Sequence, residues 1–579
     1  MHSKYEVNTL LGEEYRDRPF ISWLLIFAML ICANNDVVFQ CLEARQIGII
    51  PFQLAYNMSS LRHFPLGEPC PASPHAVVSS LPTMADVHAY EQHEPRVVKA
   101  LESGYPRFVE HTFIKELICF YLNRDGLNGY GAVLIPGRRA TQGLVDYIGK
   151  GVSTLKVEDA LFLVYFVKSD EVLSERVGKF VQHTGCGISS RQAEDILVMH
   201  GLRDTIFEEA SIHLGAQNKV ESDLAALIGC ETKDVLVCAC GMNAFYAGFR
   251  AVQEAQLAKG RTQWLHLGWL YLDSGCVLKE FLSESESLEC CYNATDTESL
   301  IKKVESFGDA LACVVVECPT NPLAQVSDLE RIAEAVRHSG GVLMVDPTIG
   351  SVYNFDVLAH ADILVTSLTK YAACEADVMI GALAVNPSSP HYGDLVLRAS
   401  SYYQPAYSRD LARLAHEMDK APEAVAQMCA NARLLADFLS GHAAVKKVHY
   451  AGDSEHFAEV ARGVDTGGAM VAIELHERIQ PFFDALNLMK GPSFGTKFTL
   501  ACPFMYLAHY DLVTTDEGRN FLRSIGIDPD LIRISVGTEP ISEIVEVDAQ
   551  LGDPNCKLIK PYVYNSIDDM VPWKSDITN

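Results

Sequence analysis

The stretch between residues 310 and 367 constrains this chain more than any other. ALACVVVE (310–317) is apolar up to its final Glu317, the pattern of a strand buried on both faces. Ser327-Asp328-Leu329-Glu330 then predicts a capping box that opens a helix. Leu329, Ile332, Ala333 and Val336 fall on one face of that helix, and Gly340-Gly341 ends it. VLMVD (342–346) and ADILVTS (361–367) are the next strands. Strand–helix–strand units of this kind predict an α/β fold, a mostly parallel sheet with helices on both sides.

The 579 residues are too many for one small core. A Pro-rich stretch, HFPLGEPCPASPH (63–75), sets off residues 1–65 as an extension. From about 385 the pattern changes. A long helical region (408–442) is followed by the strand-like AMVAIEL (469–475) and LIRISVG (531–537), which predicts a smaller C-terminal α/β domain over 386–552. The polar remainder, 553–579, is a tail. The segments 103–148 and 213–252 share a layout of helix, short strand, Gly-containing turn and helix, a faint internal echo.

Charge and cysteines narrow the function classes. A net charge of −27 repels phosphate backbones and argues against nucleic acid as a partner. The 17 cysteines include the adjacent Cys290-Cys291 and the close Cys238 and Cys240, but no CxxC pair. They are expected to be reduced structural thiols, with no metal ligand among them, in a reducing, cytoplasmic compartment. Ile21–Ala33 is apolar apart from Ser22 but shorter than the roughly 20 residues of a spanning helix. Glu13, Glu14 and Asp17 offset Arg16 and Arg18, so no basic leader precedes it. A buried helix or an extension is expected there rather than a membrane anchor.

In open α/β sheets ligands bind beyond the carboxyl ends of the strands. Asp346 closes VLMVD, Ser367 closes ILVTS, and Lys370 follows in TSLTKY. An acid and a lysine at neighbouring strand ends can face one cofactor, and pyridoxal 5′-phosphate (PLP) needs that pair. The lysine holds the aldehyde, and the acid keeps the pyridine nitrogen protonated. The phosphate needs hydroxyls and backbone N–H groups at a helix N-terminus. Cys240-Gly241-Met242-Asn243, after the apolar VLVCAC, offers one. Each residue alone has an ordinary explanation as a turn, a cap or a solvated lysine. Their combination in this order is what specifies the chemistry.

These residues carry a resemblance to the Cys/Met-metabolism family of PLP enzymes, which includes cystathionine γ-synthases, cystathionine lyases, methionine γ-lyase and O-acetylhomoserine sulfhydrylase. E-x-P-T-N-P, V-D-x-T and S-x-T-K-Y occur in order within 317–371, and LIRISVGTEPISEI (531–544) resembles the C-terminal R-x-S-V-G-x-E signature. The likeness covers roughly 210–550. Residues 70–200, with CPASPHAVVSSLP and SGYPRF, resemble the extended cystathionine γ-synthases of fungi. The resemblance implies an aspartate-aminotransferase-like fold of type I. It makes 66–210 a family-specific region and 211–385 the large PLP-binding domain.

The family's roles follow by matched position. Lys370 would carry the cofactor and shuttle protons, and Asp346 would pair with the pyridine nitrogen. Gly241 and Met242 would offer N–H groups to the phosphate, with hydroxyls from Ser367 and Thr369. Tyr271 would stack on the ring and take part in catalysis, with Asn321 and Thr348 beside the cofactor. Arg533 would clamp the substrate carboxylate near Ser493. The implied reaction is γ-replacement on an O-acylated L-homoserine, O-acetyl-L-homoserine foremost, with L-cysteine to give L-cystathionine. Another nucleophile (sulfide, carbon or amine), a lyase, or a non-catalytic PLP-fold protein are the alternatives. A homodimer or homotetramer with shared active sites is implied.

Some positions depart from the pattern. The usual Tyr and Arg that reach the neighbouring subunit's phosphate fall on Ser211-Ile212-His213. Arg107, next to Tyr105, or Arg191, after Ser189-Ser190, is the expected substitute. Leu272-Asp273-Ser274 replaces G-G-T after the stacking tyrosine, Pro347 stands within V-D-x-T, and Ala373 and Cys374 replace glycines.

Overall fold

The computed structural model describes residues 61–102 and 109–549, all within one unit, Ser60–Asn579. Ile21–Ala33, Tyr105, Arg107 and the tail from 553 lie outside the described residues.

Seventeen strands in the described residues form four sheets. Two short strands, β1 (Pro69–Cys70) and β2 (Val78–Ser79), pair with each other. Within the 66–210 region, β3 (Tyr130–Pro136), β4 (Val152–Glu158) and β5 (Leu161–Val167) form an antiparallel sheet in the order β3-β5-β4.

The central sheet is built from β6 (Val235–Cys238), β7 (Gln263–Leu267), β8 (Ser287–Cys291), β9 (Leu311–Glu317), β10 (Val342–Asp346), β11 (Ile363–Ser367) and β12 (Gly381–Val385), in the order β6-β12-β11-β10-β9-β7-β8. β8, β7, β9, β10 and β11 run parallel, β12 runs against them, and β6 runs against β12. The fold is therefore the expected α/β class with one reversed strand. Every residue of β9 is buried. Its Leu311, Val314, Val315 and Val316 each contribute about 1.5–3 kcal/mol by leaving water, and their branched side chains suit the pleated backbone.

The crossover helix Leu329–Ser339 joins β9 to β10. Its N-terminus differs from the expected capping box. Asp328 is the N-cap, its carboxylate accepting from Arg331 N at 3.1 Å, and the hydroxyl of the fully buried Ser327 makes no hydrogen bond. A carboxylate holds the orphan N–H groups of a first turn at least as well as a hydroxyl. The helical stretch 408–442 is two helices, Ser408–Met418 and Ala421–Ser440. Pro422 lies in the first turn of the second, where its missing N–H costs nothing, whereas a continuous helix would clash with it.

The last sheet comprises β13 (Val445–Tyr450), β14 (Met470–Leu475), β15 (Met489–Lys490), β16 (Leu500–Cys502) and β17 (Ile532–Ser535), in the order β13-β14-β17-β16-β15. A buried ionic network ties the N-terminal region to the later helices. Arg191, 1% exposed, donates to both Glu209 oxygens at 2.7 Å, to Asp377 O at 2.8 Å and to Asp410 at 3.1 Å. Arg409 bridges Glu194 and Asp195, and Arg413 bridges Asp377 and Glu417.

Removing one member of a buried ion pair leaves its partners uncompensated, which costs about 3–5 kcal/mol. Arg191→Ala is expected to lower the urea midpoint accordingly. Arg331→Ala, which breaks an exposed pair with Glu298, is expected to leave the midpoint in place. Equal shifts in the two variants would mean that the network contributes no more than a surface contact.

Candidate functional site

Three neighbouring parallel strands end on polar side chains at one edge of the central sheet: β9 on Glu317, β10 on Asp346 and β11 on Ser367. β6 leads at the same edge into the helix Gly241–Leu257. From the last sheet, Arg533 on β17 faces Cys502 on β16 in register, and the loop before β16 adds Ser493 and Phe494. Together these line one cavity of about 120 Å³. Gly241, Met242, Tyr271, Asn321, Asp346, Thr348, Ser367, Thr369, Lys370, Ser493 and Arg533 all line it, so these residues expected from the sequence are brought together, whereas Arg191 is not among them.

Lys370 is 6% exposed. Its Nζ donates to Ser493 Oγ at 3.4 Å and lies 4.9 Å from the centre of the Phe494 ring. Burial, and then the nearby Arg533 guanidinium, push its amine well below the usual lysine range. Lowering an amine's pKa makes it a readier nucleophile and base.

Asp346 and Glu317 are direct neighbours in the β9–β10 register. The Asp346 carboxylate accepts from Thr348 N at 2.9 Å and from Thr348 Oγ1. Thr348 Oγ1 in turn accepts from Ser367 N at 2.9 Å. Glu317 accepts from Tyr271 N at 2.5 Å. Burial raises Asp346 to about 6, held down by the two Thr348 donations. Burial and the Asp346 charge push Glu317 well above the carboxylate range. Two adjacent buried carboxylates cannot both stay ionised. The Thr348 donations favour the charge on Asp346, while burial and the Asp346 charge disfavour it on Glu317.

Gly241 opens its helix against Ser367, where an added Cβ would stand 2.7 Å from Ser367 Cβ. Cys240 caps the helix, its sulfur accepting from Asn243 N at 3.4 Å. A helix N-terminus with this close backbone approach is an anion cradle. The Thr369 hydroxyl is already engaged with Ile380, donating to its O at 3.2 Å and accepting from its N at 3.1 Å.

The Arg533 guanidinium is 5% exposed, donates to Asn321 Oδ1 at 2.7 Å and lies 4.3 Å from the Phe504 ring centre. Its Nε is buried without a hydrogen-bond partner. A buried guanidinium with a free donor is built to receive a carboxylate. Burial lowers its pKa, which an incoming carboxylate would reverse.

These features fit PLP and an amino-acid substrate. A lysine whose charge burial disfavours shares the cavity with a buried acid, a helix N-terminus opens onto it, and a guanidinium donor can receive a carboxylate. Among the described residues, 14 cysteines are free thiols, and no helix is long and apolar enough to cross a membrane.

The structure corrects the expectation for Arg191. Its guanidinium is spent on Glu209, Asp377 and Asp410 inside its own chain and cannot serve as a phosphate clamp for another subunit. Ser211 Oγ and His213 Nε2 lie 2.9 Å apart in an exposed segment. Glu317 was given no role from sequence. It could have been found as the acid that ends an otherwise apolar strand beside Asp346. Tyr90, Met379, Phe494, Cys502 and Phe504 also line the cavity, but they come from segments distant in sequence with no motif to mark them.

Comparison with known proteins gives a consistent result. Residues 213–550 match the family described as Cys/Met metabolism PLP-dependent enzyme, and residues 530–579 match a family of unknown function. The chain is 32% identical over 483 residues to an L-2-amino-4-chloropent-4-enoate dechlorinase/desaturase of Streptantibioticus cattleyicolor, covering 83% of this chain and 96% of that protein. It is 25% identical to a cystathionine γ-synthase of Neurospora crassa, covering 84% and 97%. A crystal structure of cystathionine γ-synthase from Xanthomonas oryzae pv. oryzae, 23% identical, superposes with a TM-score of 0.50 over 58% of this chain and 84% of that one, a likeness of fold.

Proposed function

The chain belongs to the Cys/Met metabolism PLP-dependent enzyme family, and from that premise we propose that it works at the γ-carbon of an L-amino acid, replacing a γ-leaving group. The leading reaction is O-acetyl-L-homoserine plus L-cysteine giving L-cystathionine and acetate. The observation that carries this reading is the convergence of Lys370, Asp346 and Arg533 on one cavity. In this reading Arg533 takes the substrate's α-carboxylate, with its Cα beside Lys370.

Bound PLP supplies the electron sink that stabilises charge at the substrate carbons. Asp346 would keep the pyridine nitrogen protonated, and Glu317 fixes the backbone of Tyr271, whose ring would lie against the cofactor. Gly241, Met242 and Ser367 would hold the phosphate. Lys370 would take the Cα proton and return it further along the side chain. Phe494 and Phe504 wall the site from water, which strengthens each of these charge interactions.

The dechlorinase/desaturase relative supports a second reading. Its named substrate carries chlorine on C4, the γ-carbon, so departure of a γ-substituent without an incoming nucleophile is the alternative. Incubation of the PLP-loaded protein with O-acetyl-L-homoserine, with and without L-cysteine or sulfide, separates the two by mass spectrometry of the products. Cystathionine formation supports the first reading. Consumption of a γ-substituted substrate that is indifferent to nucleophile supports the second. A homodimer or homotetramer, checked by light scattering, and a cytoplasmic site of action complete the proposal.

Arg533→Lys is expected to raise KM for the amino-acid substrate roughly ten- to a hundredfold, since an ammonium cannot reproduce the forked, charge-assisted contact. PLP affinity should stay near the parent's. An unchanged KM would place the carboxylate elsewhere.

A further inference from the structure

The replacement of G-G-T by Leu272-Asp273-Ser274 after Tyr271 remains without a role. The structure shows what Asp273 meets. The helix Glu171–Thr184 belongs to the region before residue 213, outside the family match. Its last turn touches both elements that carry cofactor-facing groups. On one side, Gln182 Nε2 donates to Asp273 Oδ1 at 2.9 Å, and His183 Nδ1 lies 3.3 Å from the same oxygen. Asp273 is fully buried and His183 is 4% exposed. Asp273 sits in the first turn of the helix Leu272–Phe281, whose N-cap is Tyr271.

On the other side, Asn243 Nδ2 donates to Thr184 O at 3.3 Å, and Cys240 Sγ donates to Gly185 O at 3.5 Å. Gly185 has φ +63°, and a Cβ there would stand 2.4 Å from Cys240 Sγ and 2.7 Å from Asn243 N. The residue therefore seats directly on the cap of the helix that presents Gly241 and Met242.

We propose that Gln182–Gly185 is a positioning segment for the cofactor site. Through Asp273 it fixes the tyrosine that stacks on the ring, and through Gly185 it fixes the helix N-terminus that takes the phosphate. This rests on the PLP reading above. The physical reason is the same on both sides. A buried carboxylate at 273 needs donors and opposite charge beside it, and this segment brings the Gln182 donor and the His183 imidazole to it. An anion cradle works only while its N–H groups stay aimed at one point, and Gly185 leaves Cys240 no room to swing. The added region thereby contributes to cofactor affinity without touching the cofactor.

The test is PLP titration of the apoprotein, followed by absorbance and by the circular dichroism of the bound cofactor. Gly185→Ala is expected to raise the PLP Kd at least tenfold. Gly149→Ala is the control. It has the same backbone handedness (φ +83°) in the same region, with no atom within 4 Å of an added Cβ, and should bind PLP as the parent does. Asp273→Ala should lose most of the visible dichroism band, because the stacked ring is no longer held in one orientation, and this arm decides the matter alone if Gly185→Ala does not fold. Parent-like Kd in Gly185→Ala, equal weakening in Gly149→Ala, or an intact band in Asp273→Ala would each overturn the proposal. A parent protein that binds no PLP would instead sink the cofactor reading on which it stands.

Discussion

In Lys370→Ala protein, borohydride reduction should leave no cofactor on any peptide, and turnover should fall by at least about 10²–10⁴-fold, the range of a lost acid–base group. In the parent, the label should be recovered on Lys370 alone. The competing candidate is Lys490, which is 1% exposed and which burial lowers to about 8. Its Nζ, however, donates to Pro82 O at 2.8 Å and Asp484 O at 3.1 Å, and it does not line the cavity. Lys370 donates to Ser493 Oγ at 3.4 Å and lines the cavity together with Asp346 and Arg533. An amine whose charge burial disfavours, facing that cavity, is placed to form a bond, whereas an amine held by two backbone carbonyls away from it is structural. Recovery of the label on Lys490 would reverse the assignment.

Asp346→Asn should fold, bind PLP weakly and lose about 10²–10⁴-fold in turnover, the scale of an electrostatic catalytic group. Asparagine preserves the shape and can still accept from Thr348 N, so the loss reads the charge. The pH dependence follows from the raised pKa. Because the folded Asp346 titrates near 6 and the unfolded one near its ordinary 3.8, the folded apoprotein binds the extra proton between those values. Its stabilising contribution is therefore present at acidic pH and lost as pH rises through about 6. Above pH 6 the apo form of Asp346→Asn should melt higher than the parent, and below about pH 4 the difference should vanish. Parent PLP affinity should rise through the same window as the carboxylate ionises, and the variant should show no such rise. Near-normal turnover in Asp346→Asn would mean that another group serves the ring. A gain in stability paired with a loss of function is the usual signature of a charge kept buried for chemistry.

Much of the site was legible because its anchors follow strands that announce themselves. The runs 311–317, 342–346 and 363–367 are apolar to their ends, and a polar residue that ends such a run faces the ligand edge of a parallel sheet. Asp346 and Ser367 end such runs, and Lys370 follows three residues after Ser367. Glu317 obeys the same rule. The helical region 408–442 divides into two helices at Asp419-Lys420, a break that periodicity does not mark and that falls just before Pro422. The antiparallel sheet β3-β5-β4 left a weak signal, since β4 is mostly exposed and lacks a buried face to impose alternation.

The chain's local order, the strand–helix–strand phrases and the acids, hydroxyls and lysine at their ends, was determined by the sequence itself, because hydrophobic periodicity and turn chemistry act over a few residues. What the tertiary structure alone decided is partnership between distant segments. Arg191 could have been a free clamp or an internal tie. It became a tie because Glu209, Asp377 and Asp410, 18 to 219 residues away, converge on it. The raised pKa of Glu317 is of the same kind. A carboxylate's charge depends on burial and on which groups fold beside it, and at Glu317 burial and the neighbouring Asp346 outweigh the backbone donors of Tyr271 and Asn321, while Thr348 holds Asp346 down. No pattern along the chain records such convergence, because the energy of a buried charge is set by its neighbours in space.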